Sequence, residues 1–163
     1  MLRRAIYPGT FDPITNGHID IVERSLSVFH EITIVVAASA RKSPLLGIDE
    51  RVELVKDVFK GKRKIKVDRW DGLIMDYARK TKSHAVIRGL RAASDFEYEF
   101  MMAAMNKNLN RDVETVFMMT GQNLFFISST MIKELFRFGG DISPYVPAKA
   151  WKYLKEKRKA GDL

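Results

Sequence analysis

Apolar and polar positions along this chain keep changing period, and each change marks an element. Ala5-Ile6-Tyr7 has strand character. After the loop at 8–18, Ile19, Val22, Leu26 and Phe29 fall at i, i+3, i+7 and i+10, one face of a helix. Ile32-Thr33-Ile34-Val35-Val36-Ala37-Ala38 is a near-continuous apolar run, the pattern of a parallel strand buried on both faces. A helix starts at Asp49-Glu50-Arg51 with Val52, Val55 and Phe59 on one side. A short alternating strand at 64–68, a helix through Leu73, Ile74, Tyr77 and Ala78, and a strand at 84–87 follow. Ser94-Asp95-Phe96-Glu97 matches a capping box. The long helix behind it carries two apolar lines, Phe96, Phe100 and Ala104, then Met101, Met105 and Leu109. Met101, Met102 and Met105 are by default core packing; methionine also suits a wall that must accept a flexible chain. A fifth strand at 113–118 precedes a helix capped by Ser128-Ser129-Thr130 and stopped by Gly139-Gly140. Pro147 opens a basic final helix.

This order predicts an α/β fold, a parallel sheet of about five strands with helices on both faces. In such sheets a ligand lies outside the carboxyl ends of the strands. Those ends lead into the 8–18 loop, Arg41 and Lys42, Asp71-Gly72-Leu73, Arg88-Gly89-Leu90-Arg91, and Ser128-Ser129-Thr130. Most carry a cation, a helix N-terminus or hydroxyls, which points to a site for several phosphates. Singly, each has a plainer reading: Arg88 or Lys42 as a surface ion-pair partner, Ser128 to Thr130 as a cap. Lys133 falls in the first turn of the helix after them, where a cation opposes the dipole. Either a bound anion resolves that conflict or the side chain swings into solvent.

Composition narrows this reading. The length suits a single domain, 1–163, with the basic C-terminal helix from about 147, and a 46% hydrophobic content argues against disorder. No apolar run is long enough to span a bilayer, and Met1-Leu2-Arg3-Arg4 opens without a signal region. The absence of cysteine removes disulfide and thiolate chemistry and fits the cytoplasm. The net charge of +8 suits nucleic acid or a pocket for small polyanions. No helix-turn-helix, zinc or aromatic-sheet motif is present, so a nucleic-acid partner is not expected.

The sharpest stretch is Tyr7-Pro8-Gly9-Thr10-Phe11-Asp12-Pro13-Ile14-Thr15-Asn16-Gly17-His18. Gly9 supplies backbone freedom, and Pro8 and Pro13 stiffen the loop. Gly17 leaves room for a ligand at the N-terminus of the new helix, an anion-binding position. His18 can donate to the same anion; a plain capping turn is the alternative.

This stretch resembles the nucleotide-binding motif of the nucleotidylyltransferase superfamily, and its upstream half resembles the bacterial phosphopantetheine adenylyltransferases. Arg88-Gly89-Leu90-Arg91 with Asp95-Phe96-Glu97-Tyr98-Glu99 is similar to that family's pattern. Ile127-Ser128-Ser129-Thr130 followed by Lys133 resembles the superfamily's second nucleotide motif. The match is collinear from about Arg4 to Pro147.

The resemblance implies a Rossmann-like fold, transfer of AMP from ATP to 4′-phosphopantetheine, a magnesium requirement with Mg²⁺ held mainly by the ATP phosphates, and a homohexamer with coenzyme A as a feedback ligand. It implies ATP contacts at Thr10, Phe11, Gly17, His18, Gly89, Leu90, Arg91, Glu99, and Leu124, Phe125, Phe126, Ile127, Ser128, Ser129 and Thr130. It implies acceptor contacts at Thr10, Lys42, Leu73, Ile74, Arg88, Met102, Met105 and Asn106. His18 would stabilise the transition state, with Lys42 and Arg91 the other catalytic groups. No protein-held metal cluster is expected. The sequence departs from the family where Gly47 stands in place of a capping Ser or Thr. The loop Thr120-Gly121-Gln122-Asn123-Leu124-Phe125 lacks an expected proline and aromatic.

Overall fold

The computed structural model describes residues 2–38 and 44–161. Five strands form one parallel sheet: β1 (Arg4–Gly9), β2 (Glu31–Ala37), β3 (Ile65–Trp70), β4 (Ala85–Leu90) and β5 (Glu114–Met119), in the order β3-β2-β1-β4-β5. Between and after them run α1 (Asn16–Ser25), α2 (Ile48–Val58), α3 (Ile74–Thr81), α4 (Ala93–Leu109), α5 (Ser129–Arg137) and α6 (Ala148–Ala160). The parallel sheet with helices on both faces matches the sequence expectation. Alternate side chains of β2 explain it: Ile32, Ile34 and Val36 enter one core with Ile21, Val55, Ile132, Phe136 and Leu154, while Val35 enters a second with Ile6, Met75, Tyr77 and Ala78.

Four local expectations need correction. The helix after β4 starts at Ala93 with Ala92 as its cap, so Ser94 lies inside it and the Ser94–Glu97 capping box does not form. Asp95 instead accepts from the Arg91 backbone N–H at 3.2 Å. The cap at Gly47 is only half lost: the Gly47 N–H still donates to Glu50 Oε2 at 2.8 Å. Glu50 is held down to about pKa 2, against the rise that desolvation alone would give, by Lys157, Tyr153 and the Gly47 N–H. Gly9 is not needed for its backbone angles. A Cβ there would lie 3.0 Å from the Phe11 ring, so the ring's packing demands the glycine.

The fourth concerns α4. None of its residues is buried, and Phe96, Phe100, Met101, Met105 and Leu109 all lie open. Its apolar lines are therefore not part of this chain's core. The periodicity is that of a buried face, yet in this chain the face is open.

Candidate active site

The sheet itself opens the site. β1 and β2 pair from Arg4↔Glu31 to Gly9↔Val36, but β1 and β4 pair only at Ala5↔Ala85 and Ile6↔Val86. Beyond Ile6 the two strands lose their register, at the point where strand order reverses, which is where ligands sit in such sheets. A cavity of about 490 Å³ lies there. A second hollow of about 610 Å³ lies around Glu31, Thr33 and Ser83. Its cations are all paired, Arg4 and Lys66 with Glu31 and Lys56 with Glu53, and it contains none of the predicted site residues.

His18 is fixed by the start of α1. Thr15 caps the helix, and its backbone N–H donates to His18 Nδ1 at 3.0 Å. This is the return bond that a capping Glu usually makes. Because Nδ1 accepts, the proton of the neutral ring is on Nε2. Loss of hydration, and then the nearby Arg91 charge, lowers the His18 pKa to about 4. The ring is therefore a neutral N–H donor at physiological pH, wedged edge-on against Phe11 with centroids 5.0 Å apart. The capping and functional readings of His18 are compatible: one nitrogen caps while the other stays free of that bond.

Beneath His18 the loop turns at Phe11, which has φ 48° and is buried. That left-handed angle is uncommon for a bulky residue. The turn directs Asp12 inward, where its carboxylate accepts from Leu45 N–H (3.0 Å), Leu46 N–H (2.9 Å) and Lys133 Nζ (2.9 Å). Lys133 is 7% exposed. The reading of Lys133 as an anion ligand or solvent-exposed cation is thus overturned, because a buried carboxylate from another loop claims it. Arg51 completes the network, donating to the carbonyls of Leu46 (3.1 Å), Thr10 (2.8 Å) and Ala37 (3.2 Å).

The opposite wall is the start of α5. Ser128 accepts from Met131 N–H at 3.1 Å as the predicted cap, and Ser129 Oγ donates to Pro13 O at 2.9 Å. Thr120 donates through its N–H and hydroxyl to Leu90 O, and the Gly121 N–H donates to Asp20, which ties the 120–127 loop to β4 and α1.

Arg88 is clamped by both oxygens of Glu99 at 2.6 Å and donates to Pro8 O at 3.2 Å. Despite desolvation, the Glu99 carboxylate raises its pKa further. Arg91 pairs with Asp95 at 3.1 Å.

Of the predicted residues, Thr10, Gly17, His18, Ile74, Arg88, Gly89, Arg91, Ile127, Ser128, Ser129 and Thr130 line the cavity. Phe11 and Glu99 lie behind the lining, touching His18 and Arg88. Leu90 contributes its carbonyl to Thr120. Leu73, Met102, Met105, Asn106, Leu124, Phe125 and Phe126 are not among the lining residues, and Lys42 lies outside the described residues. Sequence reasoning missed Tyr7, Thr15, Ile21, Ala37, Tyr98 and Thr120, all of which line it. Tyr7 and Ala37 stand near strand ends, so the rule that found Arg88 covers them as well. Tyr7, Thr15, Tyr98 and Thr120 were inside quoted stretches but had no role.

The missing Cβ of Gly17 has no explanation within the chain. An added methyl would meet nothing nearer than Thr15 Oγ1 at 3.6 Å, an ordinary contact. Its two nearest neighbours, Thr15 and Thr120 (Cγ2 at 3.7 Å), both line the cavity, so the position that lacks a Cβ is at the cavity wall.

Comparison with known proteins gives the family and the fold. The cytidylyltransferase-like family model matches residues 6–135. A phosphopantetheine adenylyltransferase of Syntrophus aciditrophicus is 48% identical over 157 residues, covering 96% of this chain and 95% of its own. One from Caldanaerobacter subterraneus subsp. tengcongensis is 48% identical over 158 residues, covering 97% and 99%. A solved structure from Vibrio parahaemolyticus, proposed to be a nicotinate-nucleotide adenylyltransferase, shares the fold with a TM-score of 0.64 and 21% identity, covering 94% of this chain and 99% of that one. The chain belongs to the cytidylyltransferase-like family and, within it, to the phosphopantetheine adenylyltransferases.

Proposed function

We propose that this chain moves the adenylyl group of ATP onto 4′-phosphopantetheine, a step of coenzyme A biosynthesis, by direct in-line attack. An acceptor phosphate oxygen forms a bond to the α-phosphorus, the bond from that phosphorus to the β-phosphate bridging oxygen breaks, and pyrophosphate leaves. Dephospho-coenzyme A is the other product, and no covalent enzyme intermediate forms.

The observation that carries this mechanism is the donor set. A neutral His18 N–H, the hydroxyls of Ser128 and Thr130 and the cations Arg88 and Arg91 surround the cavity. The nearby carboxylates are each bound to a cation: Asp12 to Lys133, Asp20 to Arg24, Asp95 to Arg91, Glu99 to Arg88. None is left as a base. A phosphate nucleophile needs none, since it is already anionic; the task is to bring anions together and stabilise charge at the α-phosphate. His18 and Arg91 serve the α-phosphate, and Thr10, Gly17, Gly89 and Ser128 to Thr130 hold the nucleotide. Arg88, Lys42 and Ile74 hold the acceptor, with Leu73, Met102, Met105 and Asn106 along its arm.

Among the described residues no group of three or more His, Cys, Asp or Glu is disposed around a metal. The lining offers hydroxyls and cations, which fits an Mg²⁺ carried in by the triphosphate, to which it supplies charge neutralisation. Coenzyme A, which contains both halves of the reaction, fits the role of a feedback ligand. No helix among the described residues is long and apolar enough to cross a membrane; we assign the reaction to the cytoplasm.

Pyrophosphate release from ATP with a panel of phosphorylated acceptors tests the substrate. Release is expected with 4′-phosphopantetheine and absent with unphosphorylated pantetheine, whose neutral hydroxyl has neither a charge for Arg88 nor a base to activate it. Equal rates for the two acceptors would refute both the substrate and the base-free mechanism.

The open apolar side chains of α4, with Phe125, Leu135 and an 86% exposed Phe138 elsewhere, support self-association. We assign it to a homohexamer, following the family resemblance. Sedimentation at micromolar protein should give six copies; a monomer there would contradict the assignment.

A further inference from the structure

Tyr7 is 6% exposed and lines the cavity. Its ring is edge-on to Phe11 at 5.6 Å and tilted toward His18 at 6.3 Å. The ring reaches toward β4, where a Cβ added to Gly89 would lie 3.6 Å from Tyr7 Oη. Among the described residues no donor or acceptor is bonded to that hydroxyl. Its polar neighbours are committed elsewhere, Arg88 to Glu99 and Pro8 O, Arg91 to Asp95.

The hydroxyl is not sealed in the core but opens onto the cavity, and phenylalanine would fill the same volume as the ring. Packing therefore accounts for the ring of Tyr7 but not for its oxygen. The position of that oxygen, between His18 and Gly89, accounts for it if a ligand supplies the acceptor. Burial raises the Tyr7 pKa, with Arg88 opposing, so the group stays a protonated donor at working pH.

We propose that Tyr7 Oη donates a hydrogen bond to an oxygen of the bound nucleotide, a second uncharged donor beside His18 Nε2. The phosphates and the ribose both offer such an oxygen. The proposal rests on the adenylyltransferase reading, since it needs a nucleotide in the cavity.

Tyr7→Phe tests it, because the ring and its packing are retained. The melting temperature of the unliganded variant should equal or exceed that of the wild type. Its calorimetric dissociation constant for MgATP should rise by roughly 10-fold, the scale of one lost ligand hydrogen bond. An equal loss for adenosine assigns the bond to the ribose; a loss for ATP alone assigns it to a phosphate. Both support the proposal. MgATP and adenosine affinities equal to wild type would overturn it, as would a drop of several degrees in melting temperature with unchanged affinity, which would make the hydroxyl structural. Wild-type protein that bound no MgATP would instead refute the adenylyltransferase reading.

Discussion

His18→Ala is expected to lower kcat by ~10²–10³ while changing the KM for ATP far less, the pattern for losing one donor that acts at the transition state. The substitution removes the Nε2–H and also the Nδ1 acceptor that meets the Thr15 N–H at 3.0 Å. Losing that cap frays the first turn of α1, so circular dichroism and a melt must accompany the kinetics. Near-normal turnover in a folded variant would remove His18 from the mechanism.

The same residue sets a pH expectation. Its folded pKa of about 4 lies below the ordinary 6.5. The unfolded chain therefore takes up the proton first, and stability from keeping the ring neutral is full above about pH 6.5 and lost as pH falls toward 4. Within pH 6 to 8 the ring in the free protein does not change charge, so kcat/KM should show no inflection from His18 there.

Lys133→Glu is expected to destabilise the protein severely. Removing one partner of a buried ion pair costs about 3–5 kcal/mol, and the introduced carboxylate would face Asp12 in place of a cation. In a protein of this size that corresponds to a fall in melting temperature of roughly 10 °C or more. Lys133→Met should cost less, and Asp12→Asn added to it should recover part of the loss, since the two sites share one interaction. A melt within about 2 °C of wild type for Lys133→Glu would mean that the Asp12 pair contributes nothing, and would return Lys133 to the role of an anion ligand.

Lys133 also marks a limit of sequence reading. Its position fixed which helix it sits on, yet whether it meets a ligand, solvent or Asp12 depends on how a loop far away in the chain turns. That turn rests on the left-handed angle at Phe11, where no glycine advertises it. The cavity, by contrast, could be located from the sequence. Strand order of the α/β type placed Thr10, Arg88 and Ser129 at carboxyl ends before any contact was known, and all three line it. The chemistry of α4 was legible and its location was not. Phe96, Phe100 and Ala104 have the spacing of a buried face, and spacing is the same whether the face is buried by its own chain or by another. Gly9 shows the converse error: the residue was noticed, but its cause was the Phe11 ring rather than its own backbone freedom.

Gly17 has a consequence for how variants of this protein are judged. Alanine is favoured over glycine inside a helix by about 0.5–1 kcal/mol, and Gly17 lies in the first turn of α1 with room for a methyl against every protein neighbour. A carrier of that change would express well, resist proteases and heat at least as well as its parent, and lose only the cavity space that the methyl fills. Selection schemes that rank mutants by yield or thermal resistance would promote such a protein, and only growth that depends on its product would expose the defect.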